Sequence, residues 1–116
     1  MQEEFEKALD FANYRQIFSI QRKTLKEKID AKLTYGFNGG IFKINRDLLN
    51  FVELLIQKNR VQDVVILDCN ENPILINDLV LFSEEIFDRY FTATNEYFEQ
   101  YQNLKKARSV ESLLEV

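Results

Sequence analysis

The chain carries one phrase twice. Asn38-Gly39-Gly40-Ile41-Phe42-Lys43-Ile44-Asn45-Arg46-Asp47-Leu48 is followed 31–32 residues later by Asn70-Glu71-Asn72-Pro73-Ile74-Leu75-Ile76-Asn77-Asp78-Leu79. Both copies run turn, short apolar strand ending in Ile, Asn, then Asp-Leu opening an apolar helix. Asn38-Gly39 is the strongest short hairpin signal, because both central residues of a tight hairpin turn need positive φ. A two-residue turn there pairs Phe37 with Gly40, Tyr35 with Phe42 and Leu33 with Ile44. Side chains alternate faces along a strand. Leu33, Tyr35, Phe37, Phe42 and Ile44 therefore share one face, and Lys32, Thr34, Lys43 and Asn45 the other. Turn register and hydrophobic pattern agree independently.

The elements around this repeat follow from periodicity. Residues 3–29 read as a helix, with Phe11, Tyr14, Phe18, Leu25 and Ile29 at helical spacing and Phe5, Leu9 and Ala12 extending the apolar face. Its acids lead and its lysines trail, as the helix dipole prefers. Asn45 caps a helix over 46–59 with Leu48, Leu49, Phe51, Val52, Leu55 and Ile56 inward. The apolar run Val64–Cys69 reads as a central strand, and Ile74–Ile76 returns beside it. Asn77 or Asp78 then caps a helix over 79–107. In that helix Leu79, Phe82, Ile86, Tyr90, Ala93, Tyr97, Tyr101 and Leu104 form a near-heptad seam. A second stripe, Phe87, Phe91 and Phe98, lies beside it. Seven of the fifteen aromatic residues fall within 82–101. A helix of that length spans about 42 Å, more than a small domain can cover. Some of this aromatic surface should meet the N-terminal helix and some a second chain. The tail after Ser109 reads as a short helical turn or a frayed end.

These elements predict an α+β fold in a single domain, 1–116. An N-terminal helix precedes two β-hairpins, each followed by a helix, the last of them long. The two hairpins are expected to form one sheet of about four strands. The expected core is Leu33, Tyr35, Phe42, Ile44, Leu48, Phe51, Val52, Leu55, Val65, Leu67, Ile74, Ile76, Phe82, Ile86 and Tyr90. The alternative architecture is a small Sm-like β-barrel with added helices. Such barrels form rings and can bind RNA, but the helix at 46–59 interrupts the run of strands and the short Sm signatures are not evident.

The chemistry is sparse. There is no His and a single Cys. The side chain most used for proton transfer near neutral pH is missing, and no Cys cluster can hold a metal. The expectation is no enzyme, no cofactor and no metal. Asp68-Cys69-Asn70-Glu71-Asn72 mimics the start of a calcium loop, but Pro73 stands where that loop needs Gly and Leu79 where it needs Glu. A hairpin turn explains it. Gly36-Phe37-Asn38-Gly39-Gly40 lacks the Lys-Ser/Thr of a phosphate loop and leads into a strand. Cys69, ending an apolar strand with no His to activate it, is expected to be a buried, inert thiol. Glu84 and Asp88, four apart on a helix, read as a solvated face.

Two surfaces remain. Arg15, Arg22, Lys23, Lys26 and Lys32 form a basic stretch that could grip phosphates, joined by Lys105, Lys106 and Arg108 if the two helices end near each other. A net charge of −4 disfavours binding of nucleic acid by the whole domain. Phe87, Phe91, Phe98 and Tyr101 are the candidate oligomer interface. No apolar run approaches the ~20 residues of a membrane span, and the acidic start lacks the pattern of a signal peptide. A cytoplasmic protein without membrane partners is expected.

Several phrases together resemble a family of small proteins of T-even-like marine bacteriophages of the cyanophage type. They are Phe11-Ala12-Asn13-Tyr14-Arg15 with Gln21 and Lys23, Phe37-Asn38-Gly39-Gly40 with Leu49-Asn50-Phe51-Val52, and Asn72-Pro73-Ile74 with Asn77-Asp78-Leu79. Tyr90, Asn95, Tyr97, Tyr101 and Leu104-Lys105-Lys106-Ala107-Arg108-Ser109 complete the likeness. The resemblance implies a phage gene product in the cytoplasm of an infected bacterium, with phage or host proteins as partners. It carries no site residues. The function expected is a non-enzymatic, self-associating protein acting in assembly or as an accessory factor. The alternative is a module binding RNA or single-stranded DNA.

Overall fold

Side chains of the helix-capping class open each helix that follows a hairpin. Asn45, in extended conformation, accepts a hydrogen bond from the Leu48 N–H at 2.9 Å, and Asp78 accepts one from the Leu81 N–H at 3.2 Å. Each satisfies a backbone donor that the first helical turn leaves without a partner. The computed structural model describes residues 1–115. In chain order the elements are α1 (Gln2–Lys32), β1 (Thr34–Phe37), β2 (Gly40–Lys43), α2 (Arg46–Gln57), β3 (Gln62–Leu67), β4 (Pro73–Asp78), α3 (Leu79–Lys106) and α4 (Val110–Leu114). The fold is α+β, with an N-terminal helix, two hairpins each followed by a helix, and a long α3, as the repeat implied.

Two compact units divide the chain: Asp30–Thr94, and Met1–Ile29 with the residues from Asn95 onward. In the first, the β1–β2 register is the one expected, Phe37 opposite Gly40 and Tyr35 opposite Phe42. The Ile44 N–H donates to the Leu33 carbonyl at 2.7 Å, extending the ladder by one pair. Asn38 and Gly39 both have positive φ, 49° and 83°. α2 ends at Gln57, two residues before the expected boundary. Asn59 takes φ 59°. The Arg60 N–H then donates to the Leu55 carbonyl at 2.9 Å and the Asn59 N–H to the Ile56 carbonyl at 3.0 Å. This is a Schellman stop with Asn in the left-handed position usually given to Gly.

The expected four-stranded sheet is instead two separate two-stranded antiparallel ladders, β1–β2 and β3–β4, and no closed Sm-like barrel forms among the described residues. The join between the hairpins explains why the ladders stay separate. The Cys69 N–H donates to the Ile41 carbonyl at 2.8 Å, but the return bond from Ile41 goes to the Asp68 side chain rather than to backbone. A carboxylate takes the place of the next ladder rung. β3 is accordingly not a central strand. It runs Gln62–Leu67, and β4 extends through Asp78, so Asp78 rather than Asn77 is the cap.

One hydrophobic cluster joins both ladders to the helices of this unit: Phe42, Ile44, Leu49, Val52, Ile66, Ile74, Ile76, Leu79, Phe82 and Ile86. Phe82 is its aromatic centre, with its ring 5.2 Å from both Phe37 and Phe42 and 6.1 Å from Tyr35. Three expected core residues are exposed: Phe51, Val65 and Leu67. Register places Val65 opposite Leu75 and Leu67 opposite Pro73. Their face points outward because Ile66, Ile74 and Ile76 point in. Phe51 lies off the α2 stripe of Leu48, Leu49, Val52, Leu55 and Ile56.

In the second unit Leu25, Ile29, Leu104, Ala107 and Leu113 are buried. Val110–Leu114 forms a short helical turn. Ser109 caps α4 by accepting from the Ser112 N–H at 3.1 Å, and Leu113 is fully buried.

Candidate functional site

α1 carries apolar residues on two opposite faces. At ~100° per residue, Tyr14, Phe18, Gln21, Leu25 and Ile29 fall within an arc of about 80°, and Phe5, Leu9, Ala12 and Ile20 within a second arc of about 80° centred opposite it. The first arc is packed. Tyr14 Oη donates to the Ala107 carbonyl at 2.6 Å, and the Tyr14 ring stacks on Phe18. Leu25 and Ile29 are buried. The second arc is uncovered: Phe5, Leu9 and Ile20 are 68%, 51% and 56% exposed. Contrary to expectation, Phe5, Leu9 and Ala12 thus do not extend the packed face. They form a second one. Phe11, expected on the packed face, is itself exposed.

Charge is divided along the same helix. Four carboxylates (Glu3, Glu4, Glu6, Asp10) and one lysine precede Tyr14, while six basic and two acidic residues follow it. Of the residues singled out for phosphate binding, Arg15, Arg22, Lys23 and Lys26 are exposed on α1. Lys32 belongs to the other unit. The guanidinium of Arg15 lies 6.0 Å from the Phe11 ring centre. Arg22 lies 5.8 Å and the Lys105 ammonium 5.5 Å from the centre of Tyr101. The two basic clusters therefore do meet, around one aromatic ring, in a cation–π arrangement.

Of the candidate interface residues, Phe91 and Phe98 are 57% and 65% exposed, while Phe87 and Tyr101 are half-buried. Phe87 stacks on Phe91 at 6.2 Å. The near-heptad seam of α3 is the inward face: Leu79, Phe82, Ile86, Ala93 and Leu104 are buried and none of its tyrosines is exposed.

Two polar features stand apart. A hollow of about 270 Å³ is lined by Gln21, Thr24, Leu25, Lys28, Gln100 and Leu104. Gln100 Nε2 donates to Glu96 Oε1 at 2.8 Å beside it, and Lys28 lies 3.7 Å from the same oxygen. Gln21 Oε1 is buried with no hydrogen-bond partner among the described residues. The second feature is Asp68, whose carboxylate is buried. Its Oδ2 accepts from the Ile41 N–H at 3.0 Å, and its Oδ1 from the Asn70 and Asn72 N–H groups, both at 2.9 Å. The donors of Ile41, then Asn72 and Asn70, hold the carboxyl below the usual carboxylate range against the opposing effect of burial. Both oxygens face N–H donors, so the segment that mimics a calcium loop is a hairpin turn. Cys69, expected to be buried, is exposed, because Asp68 rather than Cys69 occupies the inward position at the end of the strand.

No group of three or more His, Cys, Asp or Glu residues that could hold a metal ion, and no helix long and apolar enough to cross a membrane, occurs among the described residues. Comparison with protein-family models, curated proteins and solved structures finds no match to this chain.

Proposed function

We propose that this is a non-enzymatic protein that works by associating with itself, in an assembly or as an accessory factor. The resemblance noted above would place that role in a phage-infected bacterium. The observation that carries the reading is the second apolar face of α1. A helix with one packed stripe needs one partner, and a helix with two opposite stripes has a second face whose burial would be favourable. Exposed Phe91 and Phe98 add to the surface available. The test is light scattering after size exclusion at low and high salt. A defined oligomer that dissociates on Phe5→Glu with Leu9→Glu, while circular dichroism stays unchanged, is expected. A monomer at every concentration would overturn the reading.

A second reading rests on the convergence of Arg22 and Lys105 on Tyr101, next to Lys106 and Arg108 in sequence. This cluster would bind RNA or single-stranded DNA through phosphates, with the ring available for stacking. Affinity should fall steeply with salt and drop on Arg22→Glu with Lys105→Glu. Failure to bind either polymer at low salt would end it.

A further inference from the structure

Resting on the self-association reading, we propose that the occupant of the exposed α1 face is the α1 helix of a second copy, lying antiparallel. Two features of the helix select this partner and direction. The first is the symmetry of the stripe. Phe5, Leu9, Ala12, Asn13, Gln16 and Ile20 are disposed evenly about the midpoint between Ala12 and Asn13. A two-fold axis at that midpoint sets Phe5 over the partner copy's position 20, Leu9 over position 16, and the small Ala12 where the helices cross. Apolar side chains thereby flank a close central approach.

The second feature is charge. Reversing one helix lays the acidic first third of α1 along the basic stretch of the other. Glu6 borders the stripe and Lys23 lies within its arc, and the two-fold brings each to within about 6 Å, along the helix axis, of the other's counterpart. A parallel pair would instead align Glu3, Glu4 and Glu6 with themselves and Arg22 and Lys23 with themselves. Like charges side by side across a helix pair disfavour that arrangement and opposite charges set orientation. The packed arc of Tyr14, Phe18, Leu25 and Ile29 lies on the opposite side of α1, so the pairing leaves its contacts intact. Arg22, near the packed side of α1, keeps its position by Tyr101.

The experiment uses the full chain with Cys69→Ser, because Cys69 is exposed and would form disulfides of its own. Ala8→Cys and Ser19→Cys chains are prepared separately; both positions are exposed, small, uncharged and on one flank of the stripe. The two are mixed under mild oxidation, and sedimentation velocity is run on the parent chain in parallel. The expected result is a dimer in which the mixed 8-to-19 disulfide exceeds both homodisulfides several-fold. Its dissociation constant should rise at least tenfold on Phe5→Glu, and also rise between low and high salt. A dimer linked mainly 8-to-8 and 19-to-19 would overturn the antiparallel pairing while leaving self-association standing. A chain that stays monomeric would overturn both, and if it shifted only on addition of single-stranded RNA the nucleic-acid reading would replace them.

Discussion

Gly40 sits in a strand with no positive φ, so its backbone would accept any residue. Its side-chain position would not. A Cβ built there meets Ile74 Cγ1 at 2.5 Å, Ile74 Cδ1 at 2.7 Å and Asp68 Oδ2 at 3.3 Å. Gly40→Ala therefore combines two opposing effects. Restricting the unfolded chain stabilises by about 0.4–1 kcal/mol. Driving a methyl into a packed core costs about 1–3 kcal/mol. Ile74 is 8% exposed and belongs to the core cluster, so it cannot swing out freely. The net expectation is a loss of roughly 1–2 kcal/mol. Ile74→Ala alone should cost about 2–4 kcal/mol, within the range for burying and then deleting a branched side chain. In that background the clash is gone, and Gly40→Ala should be neutral or stabilise by roughly 0.5 kcal/mol. The sign of one substitution thus reverses with its neighbour. Urea unfolding of the four chains, with unchanged dependence on denaturant as the control for two-state behaviour, measures the cycle. If Gly40→Ala has the same effect in both backgrounds to within about 0.5 kcal/mol, the close approach of Ile74 is not what requires glycine there.

Other perturbations test separate parts of the fold. Asp68 has a folded carboxyl value held below its unfolded one, so its contribution to stability is full above the unfolded value and is lost as pH falls through the folded value. The stability gap between the parent and Asp68→Asn should be constant near neutral pH and shrink in acid; a gap that persists unchanged to low pH would mean the charge is irrelevant. Gln21→Leu should stabilise by about 1 kcal/mol in thermal unfolding, because it removes a buried oxygen without a partner and adds an apolar residue to the packed arc; destabilisation would show that the amide is satisfied. Asn45→Ala and Asp78→Ala should each cost about 1 kcal/mol by loss of a cap, and Asn45→Asp should retain most of it; equal losses for Asn45→Ala and Asn45→Asp would argue against capping.

The local grammar of the middle of the chain was legible because several signals coincide there. Asn38-Gly39 sets the turn, the turn sets the register, and the register agrees with the alternation of Tyr35, Phe37, Phe42 and Ile44. Asn45 and Asp78 announce their helices in the same way. Legibility stopped where a segment is uniformly apolar. Val64-Val65-Ile66-Leu67 has no alternation, so nothing in it says which parity faces inward. The answer depends on Ile74 and Ile76 across the ladder. The separation of the two ladders was likewise hidden. It turns on Asp68, read in sequence only as a failed calcium ligand, accepting the N–H of Ile41. A side-chain substitute for a ladder rung leaves no periodic trace.

The candidate surface was half visible for a related reason. On α3 the seam and the second stripe differ by position within a near-heptad, and the structure buries the seam while exposing Phe91 and Phe98. On α1 the two stripes lie opposite each other. Their contributions cancel in any average direction of hydrophobicity, and the whole set reads as one loose apolar face. The spacing alone separates them: Phe5, Leu9, Ala12 and Ile20 fit one arc, and Tyr14, Phe18, Leu25 and Ile29 fit another, with no residue shared. Such a helix cannot bury both arcs against a single partner on one side. The described residues pack against the arc of Tyr14, Phe18, Leu25 and Ile29 and leave the arc of Phe5, Leu9 and Ile20 exposed, and under the proposed pairing the helix's distribution of charge is complementary to itself only when reversed.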